Sequence, residues 1–265
     1  MSSTNASAAL KGNIRHSVCA WCYNDMPLED LCKAAKAIGL QSIDLLNPED
    51  FATARKYDLT CGMVAAINQD WGITRGWNRV EHHDQLVEYY QYLIDETAKA
   101  GYANLICFSG NREGLDDEQG LQNCAQGLQR IMGYAEKKQV NIVMELLNSK
   151  IDHPDYQCDH TSWGVALCKA VGSGRFKLLY DIYHMQIMEG DVIRTIRENH
   201  SYIAHYHTGG VPGRNEIDDT QELYYPAIMK AIHATGFTGF VAQEFVPAHT
   251  DKLAALKQAI SICDI

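Results

Sequence analysis

Hydrophobic and polar positions alternate along this chain in two rhythms. Eight short apolar runs read as strands: HSVCAWCY (16–23), SIDLL (42–46), GMVAAI (62–67), NLICFSG (104–110), NIVMELLN (141–148), KLLYDIYH (177–184), IAHYHTGG (203–210) and FVAQEF (240–245). Between them lie stretches whose apolar residues recur at helical spacing: LEDLCKAAKAIG, HHDQLVEYYQYLIDETAKAG, EQGLQNCAQGLQRIMGYAEKKQ, HTSWGVALCKAVG, DVIRTIRENH and YYPAIMKAIHATG, with KLAALKQAISIC closing the chain. These two periods predict strands and amphipathic helices in turn, and several of the helical stretches close on Gly. Only PEDFATARKYDLT, after the second run, is too short for a long helix.

Strict alternation over a length of about 250 residues predicts a single-domain α/β fold, the (β/α)8 TIM barrel, with a doubly wound parallel sheet as the alternative. The barrel is expected over residues 14–265, behind a flexible N-terminal tail, 1–13. No G-x-G-x-x-G or G-x-x-x-x-G-K-[ST] follows the first run, which weighs against the nucleotide-binding doubly wound folds.

Composition then narrows the partners. The 265 residues are 46% hydrophobic and 21% charged, enough to build a sizeable core. A formal charge of -10 and the absence of a basic stripe argue against nucleic acid. No apolar run is long enough to span a bilayer, and MSSTNASAALKGN lacks the apolar centre of a secretion signal, so a cytoplasmic protein with a small-molecule partner and no membrane contact is expected. The nine cysteines are odd in number and scattered through apolar segments, as free thiols in a reducing compartment would be. CAWC (19–22) has the C-x-x-C spacing, but it continues a strand-like alternation, which would point the two thiols to opposite faces.

Candidate chemistry sits at the ends of the last four runs. In a β/α barrel, function collects at the C-terminal strand ends. Glu145, Asp181, His207 and Glu244 stand late in the fifth to eighth runs. Three carboxylates at one barrel mouth repel unless a cation lies among them. This oxygen-rich set with one imidazole suits Mn or Mg, with Co or Zn as further options. Each residue also has a plainer reading: Asp181 as a helix cap, Glu244 as an ion pair at the rim, and one of His205 and His207 as a core histidine bonded to a carboxylate, the later one being the ligand. Lys150 and Arg214 are candidates for an anionic or hydroxyl group of substrate, with Glu216 positioning the arginine. Asn68, Trp71 and Trp77 follow the third run and could form a substrate wall or a subunit contact. HH (82–83) and DDE (116–118) read as solvated helix starts.

The segments MELLNSK, YDIYHMQ, HYHTGGVPGRNEI and AQEF, in that order, resemble the xylose-isomerase-like barrel superfamily, most closely its hydroxypyruvate isomerase and ketose 3-epimerase branches, over nearly the whole chain. The resemblance implies that Glu145, Asp181, His207 and Glu244 hold one divalent metal ion, and that Glu145 and Glu244 form an acid/base pair acting across an enediolate. It further implies that His184 and Arg214 contact substrate oxygens, and that the chain could form a homo-oligomer. VPGR (211–214) is similar to the hydroxypyruvate isomerases, whereas His207 stands where the epimerases have His and the hydroxypyruvate isomerases usually Gln. The activity expected is isomerisation of a small hydroxy-carbonyl compound such as hydroxypyruvate. Ketose 3-epimerisation, dehydration of a keto-polyol at the same site and a non-catalytic sugar-binding barrel are the alternatives.

Overall fold

A computed structural model describes residues 9–265. Seven parallel strands form one sheet: β1 (Arg15–Cys19), β2 (Ser42–Asp44), β3 (Asn104–Cys107), β4 (Asn141–Leu146), β5 (Phe176–Asp181), β6 (Ile203–Thr208) and β7 (Phe240–Gln243), in the spatial order β2-β1-β7-β6-β5-β4-β3. The strands are buried almost throughout, as near-continuous apolar runs covered by helices should be. The helices are α1 (Leu28–Ile38), α2 (Phe51–Arg55), α3 (His83–Lys99), α4 (Asp117–Lys138), α5 (Thr161–Val171), α6 (Ile182–Met188), α7 (Val192–Asn199), α8 (Tyr225–Ala234) and α9 (Lys252–Cys263). Gly39 and Gly172 end α1 and α5 in the left-handed conformation that leaves no Cβ to clash.

The third apolar run departs from expectation. It is no regular strand but touches both edges of the sheet, through isolated parallel bridges Ser42↔Thr60, Leu46↔Val64 and Val64↔Leu105. The Gly62 carbonyl accepts from the Asn104 side chain, 2.9 Å. A Cβ on Gly62 would lie 2.7 Å from Asp44 Oδ1, so the close approach admits only glycine.

Two other runs are shorter than expected. β1 stops at Cys19, and residues 20–23 form a 3₁₀ turn, so the two thiols of CAWC are not on one strand. Both are buried, and all nine cysteines are free. β5 stops at Asp181, whose carboxylate accepts the His184 backbone N–H, 3.2 Å, and starts α6. A short polar side chain that satisfies an unpaired N–H begins a helix even inside an apolar run.

Part of the expected tail, residues 1–8, lies outside the described residues. Lys11 and Asn13 are hydrogen-bonded to Asp264 and the Ile265 carbonyl, so residues 11–13 are anchored rather than loose. No described helix is long and apolar enough to cross a membrane.

Candidate metal centre

Sheet register brings the acids together. Asp181 pairs with His207, Thr208 pairs with Gln243, and Glu244 follows directly. Since alternate strand residues share a face, Glu145, Asp181, His207 and Glu244 converge from four adjacent strand ends. One ligand atom from each lies within 4.8 Å of all the others, and all four side chains are buried.

The contacts within this group are those of charges sharing a space. His207 Nδ1 lies 2.7 Å from Glu244 Oε2 and 3.5 Å from Glu145 Oε1. It is nevertheless a buried nitrogen that makes no hydrogen bond. Arg214 Nη2 donates to Asp181 Oδ2 at 3.1 Å and to Glu244 Oε2 at 2.7 Å. Trp21 Nε1–H donates to Glu244 Oε1 at 2.7 Å, and the Arg214 guanidinium stacks between the Trp21 and Tyr183 rings, 5.3 Å from each centroid. The Arg214 backbone is left-handed, φ 57°, after Gly213, which aims its side chain back over the strand ends.

Burial dominates the titration of the cluster. It pushes the Asp181 carboxyl up to about 8 against the pull of Arg214, and it raises Glu145. Burial opposes charge on Glu244 too, but His207 and Arg214 outweigh it and hold this carboxyl well below the usual range. On His207 the anionic groups around it, Glu244 and Asp44 among them, overcome burial and raise the imidazole well above its ordinary value. Three buried carboxyl groups and one imidazole nitrogen form a hard, oxygen-rich donor set that fits a divalent cation, and the Arg214 guanidinium, which has no lone pair to give, balances part of their charge from the side.

A further layer supports His207 from beneath. Asp44, at the end of β2, is fully buried and accepts from Ser17 and Ser42, 3.2 Å for the latter. Its Oδ2 contacts His205 Nε2 and lies 3.7 Å from His207 Nε2, while Cys19 Sγ stands 3.7 Å from the same nitrogen. Burial would raise Asp44, but the two histidines keep its carboxyl far below the usual range. Asp44 was not singled out in the sequence, although SIDLL carries the same signal as VMELLN, an acid inside an apolar run. Asn148 was also missed. Its amide donates to His184 Nδ1 at 2.6 Å, which leaves the proton on His184 Nε2, 3.6 Å from Asp181 Oδ2.

A cavity of about 460 Å³ opens over the cluster. Glu145, Glu244, Arg214, Trp21 and His153 line its polar side, and Ile67, Ile73, Ile106, Phe108 and Leu147 the apolar one. Asp181, His207 and His184 are sealed beneath with no exposed surface.

Several sequence candidates lie elsewhere. Lys150 donates to the Ile187 and Met188 carbonyls, 2.9 and 3.1 Å, and so closes the C-terminal end of α6 rather than facing the cavity. Glu216 does not position Arg214. It accepts the backbone N–H groups of Ala248 and His249, both 2.9 Å, fixing the loop after β7. Asn68 folds its carboxamide onto the Asp70 and Trp71 N–H groups, a local turn. The tryptophans expected at a substrate wall or a subunit contact are buried: Trp71 is 7% and Trp77 0% accessible, the first against His82 and Arg75, the second against His83 and Tyr90. An aromatic-rich loop this long had enough apolar area to pack on α3 instead of forming a lid. His83 is likewise buried, bonded to the Trp77 carbonyl at 2.9 Å, rather than solvated. Asp116 caps α4 by accepting the Gln119 N–H.

The family model described as Xylose isomerase-like TIM barrel matches residues 23–262. The chain belongs to that family. Among curated relatives, a 2-oxo-tetronate isomerase of Cupriavidus necator is 35% identical over 108 residues, covering 41% of this chain and 41% of that protein, so the match spans about two fifths of that relative's length. A putative hydroxypyruvate isomerase of Danio rerio is 26% identical over 240 residues, 91% of this chain and 82% of that protein. Among solved structures, an AP endonuclease, family 2, from Brucella melitensis superposes with TM-score 0.84 at 22% identity over 92% of this chain and 97% of its own. D-psicose 3-epimerase from Clostridium cellulolyticum H10 gives 0.74 at 16% identity over 95% and 100%. At these identities the structures establish the xylose isomerase-like fold alone.

Proposed function

We propose that the chain is a divalent-metal-dependent isomerase or epimerase of a small hydroxy-carbonyl compound, of the hydroxypyruvate isomerase or ketose epimerase type, built on a complete eight-stave barrel in which residues 60–65 supply the irregular stave. The observation that carries this reading is the convergence of Glu145, Asp181, His207 and Glu244 from four adjacent strand ends. Mn or Mg suits these donors best. A divalent ion bound there supplies Lewis acidity that acidifies the C–H beside a carbonyl.

The chain's own residues divide the remaining work by their access to the cavity. Asp181 and His207 are sealed and serve to hold the ion; Glu145 and Glu244 also reach the cavity, which gives them the acid/base role. One glutamate removes the proton from the carbon next to the carbonyl, and the other returns a proton to that carbon or its neighbour. Return to the neighbour interconverts aldose and ketose; return to the opposite face of the same carbon epimerises. Arg214, at the cavity wall, orients substrate oxygens, and the apolar wall of Ile67, Ile106 and Phe108 excludes water around the reacting carbon.

The reading is supported by the named activities of the family members, an isomerase of 2-oxo-tetronate and putative isomerases of hydroxypyruvate. Its test is turnover of hydroxypyruvate and a ketose panel in deuterium oxide with added Mn. The expected product carries deuterium at the reacting carbon with no loss of water. Water loss without exchange would replace isomerisation by dehydration.

A further inference from the structure

Some polar side chains of the cavity are left uncommitted by the chain itself. Trp21, Glu244 and Arg214 are hydrogen-bonded within the chain, and Glu145 lies within the carboxylate cluster. Apart from Glu145, only Asn47 and His153 among the polar residues lining the cavity make no side-chain hydrogen bond to another described residue. Asn47 belongs to the turn after β2, whereas the His153 ring packs edge-on against His184, centroids 5.3 Å apart, and His184 in turn faces Asp181. His153 is therefore joined by packing to the metal-ligand group, and only part of its surface is covered.

The loop that presents His153 is fixed at several points. The Asn148 carboxamide accepts the N–H groups of Ile151 and Asp152, 3.0 and 2.9 Å, the Asn148 carbonyl accepts that of His153, 3.1 Å, and the His153 carbonyl accepts that of Tyr156, 3.1 Å. Pro154 restricts His153 to extended backbone. The Asn148 that organises this loop is the residue that orients His184. A loop held in this way holds a side chain in place for a ligand, which a mobile surface histidine would not do. Burial, with Arg214 nearby, lowers the His153 pKa, so at neutral pH the ring is uncharged and offers one donor and one acceptor nitrogen.

We infer that His153 is a substrate-contacting residue, which hydrogen-bonds a hydroxyl of the bound hydroxy-carbonyl compound at the polar wall it shares with Glu145, Glu244 and Arg214. A hydroxyl is itself donor and acceptor, the complement of a neutral imidazole, and a site built to bond a hydroxyl rejects analogues that lack it more strongly than an apolar pocket can. This inference rests on the proposed reaction for the identity of its ligand, and its test separates the two.

The experiment compares wild type, His153→Leu and His153→Gln, each loaded with Mn, for turnover of hydroxypyruvate and D-tagatose and for calorimetric binding of D-tagatose. The expected result is a loss of about tenfold or more in both kcat/KM and D-tagatose affinity for His153→Leu, with partial recovery in His153→Gln, while Mn affinity and Tm stay as in the wild type. An unchanged kcat/KM and affinity in His153→Leu overturns the inference, as does a parallel loss of Mn affinity, which would make His153 a support of the metal ligands. If the wild type turns over neither compound, the proposed reaction is wrong, and D-tagatose binding alone decides the role of His153. A wild type that neither turns over hydroxypyruvate nor binds D-tagatose overturns both.

Discussion

The two ends of the barrel both open into cavities, and they differ in what their polar groups do. At the N-terminal strand ends a space of about 570 Å³ is lined by Arg15, Asn104, Asn141 and His200 among others, larger than the 460 Å³ over the carboxylate cluster. There the polar side chains spend their hydrogen bonds on the frame: Asn104 on the Gly62 carbonyl, Asn141 on Asn104, and Arg15 on Gln41 and the Thr238 carbonyl. At the C-terminal ends the charged groups face one another, and among the described residues both clusters able to hold a metal lie there. Cavity size therefore does not identify the site. Unreconciled charge does, because the chain tolerates buried like charges only where something else balances them.

This contrast is sharpened by removing charge at one end and then at the other. The largest effect is expected for Glu145→Gln, which should lower kcat by about 10²–10⁴, the range for loss of a general acid or base, with far-UV CD unchanged. Arg214→Gln should destabilise the metal-free protein by about 3–5 kcal/mol, since it strips the cation from buried carboxylates, and added Mn should recover part of the Tm. The diagnostic is a larger Tm gain with Mn in Arg214→Gln than in wild type, because a packing defect would leave the gain produced by the ion as it is in wild type.

The opposite end gives a prediction about stability without chemistry. Burial near Asp264 lowers the pKa of His16 on β1 from 6.5 to about 4. The unfolded chain therefore takes up the proton first as pH falls, so this stability is fully present above about 6.5 and is lost between 6.5 and 4, at most about 3 kcal/mol at 1.36 kcal/mol per unit. His16→Leu should flatten that part of the Tm–pH curve. The smallest effect is expected for Lys150→Ala, which frees two carbonyls at the end of α6 and should cost no more than about 1 kcal/mol in chemical denaturation, with Mn uptake unchanged.

The strand-end acids were legible because a carboxylate in an apolar run has few ways to be accommodated, and the barrel's period of two places it inward. Asp44 carried the same signal, but its partners His205 and His207 lie more than a hundred and fifty residues away, and only register on the sheet joins them. Lys150 and Glu216 were misread for the complementary reason. A long polar side chain in a loop can satisfy a backbone group as readily as a ligand, and which it does depends on the neighbouring helix end or loop. His153 had no sequence signal at all, since its meaning comes from Asn148 and Pro154 holding it against His184.

The most direct test of the account is a calorimetric titration of Mn into metal-depleted protein, wild type beside Asp181→Asn and Glu244→Gln, with proton release followed in parallel. The predicted result is about one ion per chain, protons released on uptake because burial keeps Asp181 protonated, and weakened or absent binding in both variants. Folded wild-type protein that takes up no divalent ion would contradict the account and leave the four strand-end residues as a buried structural network.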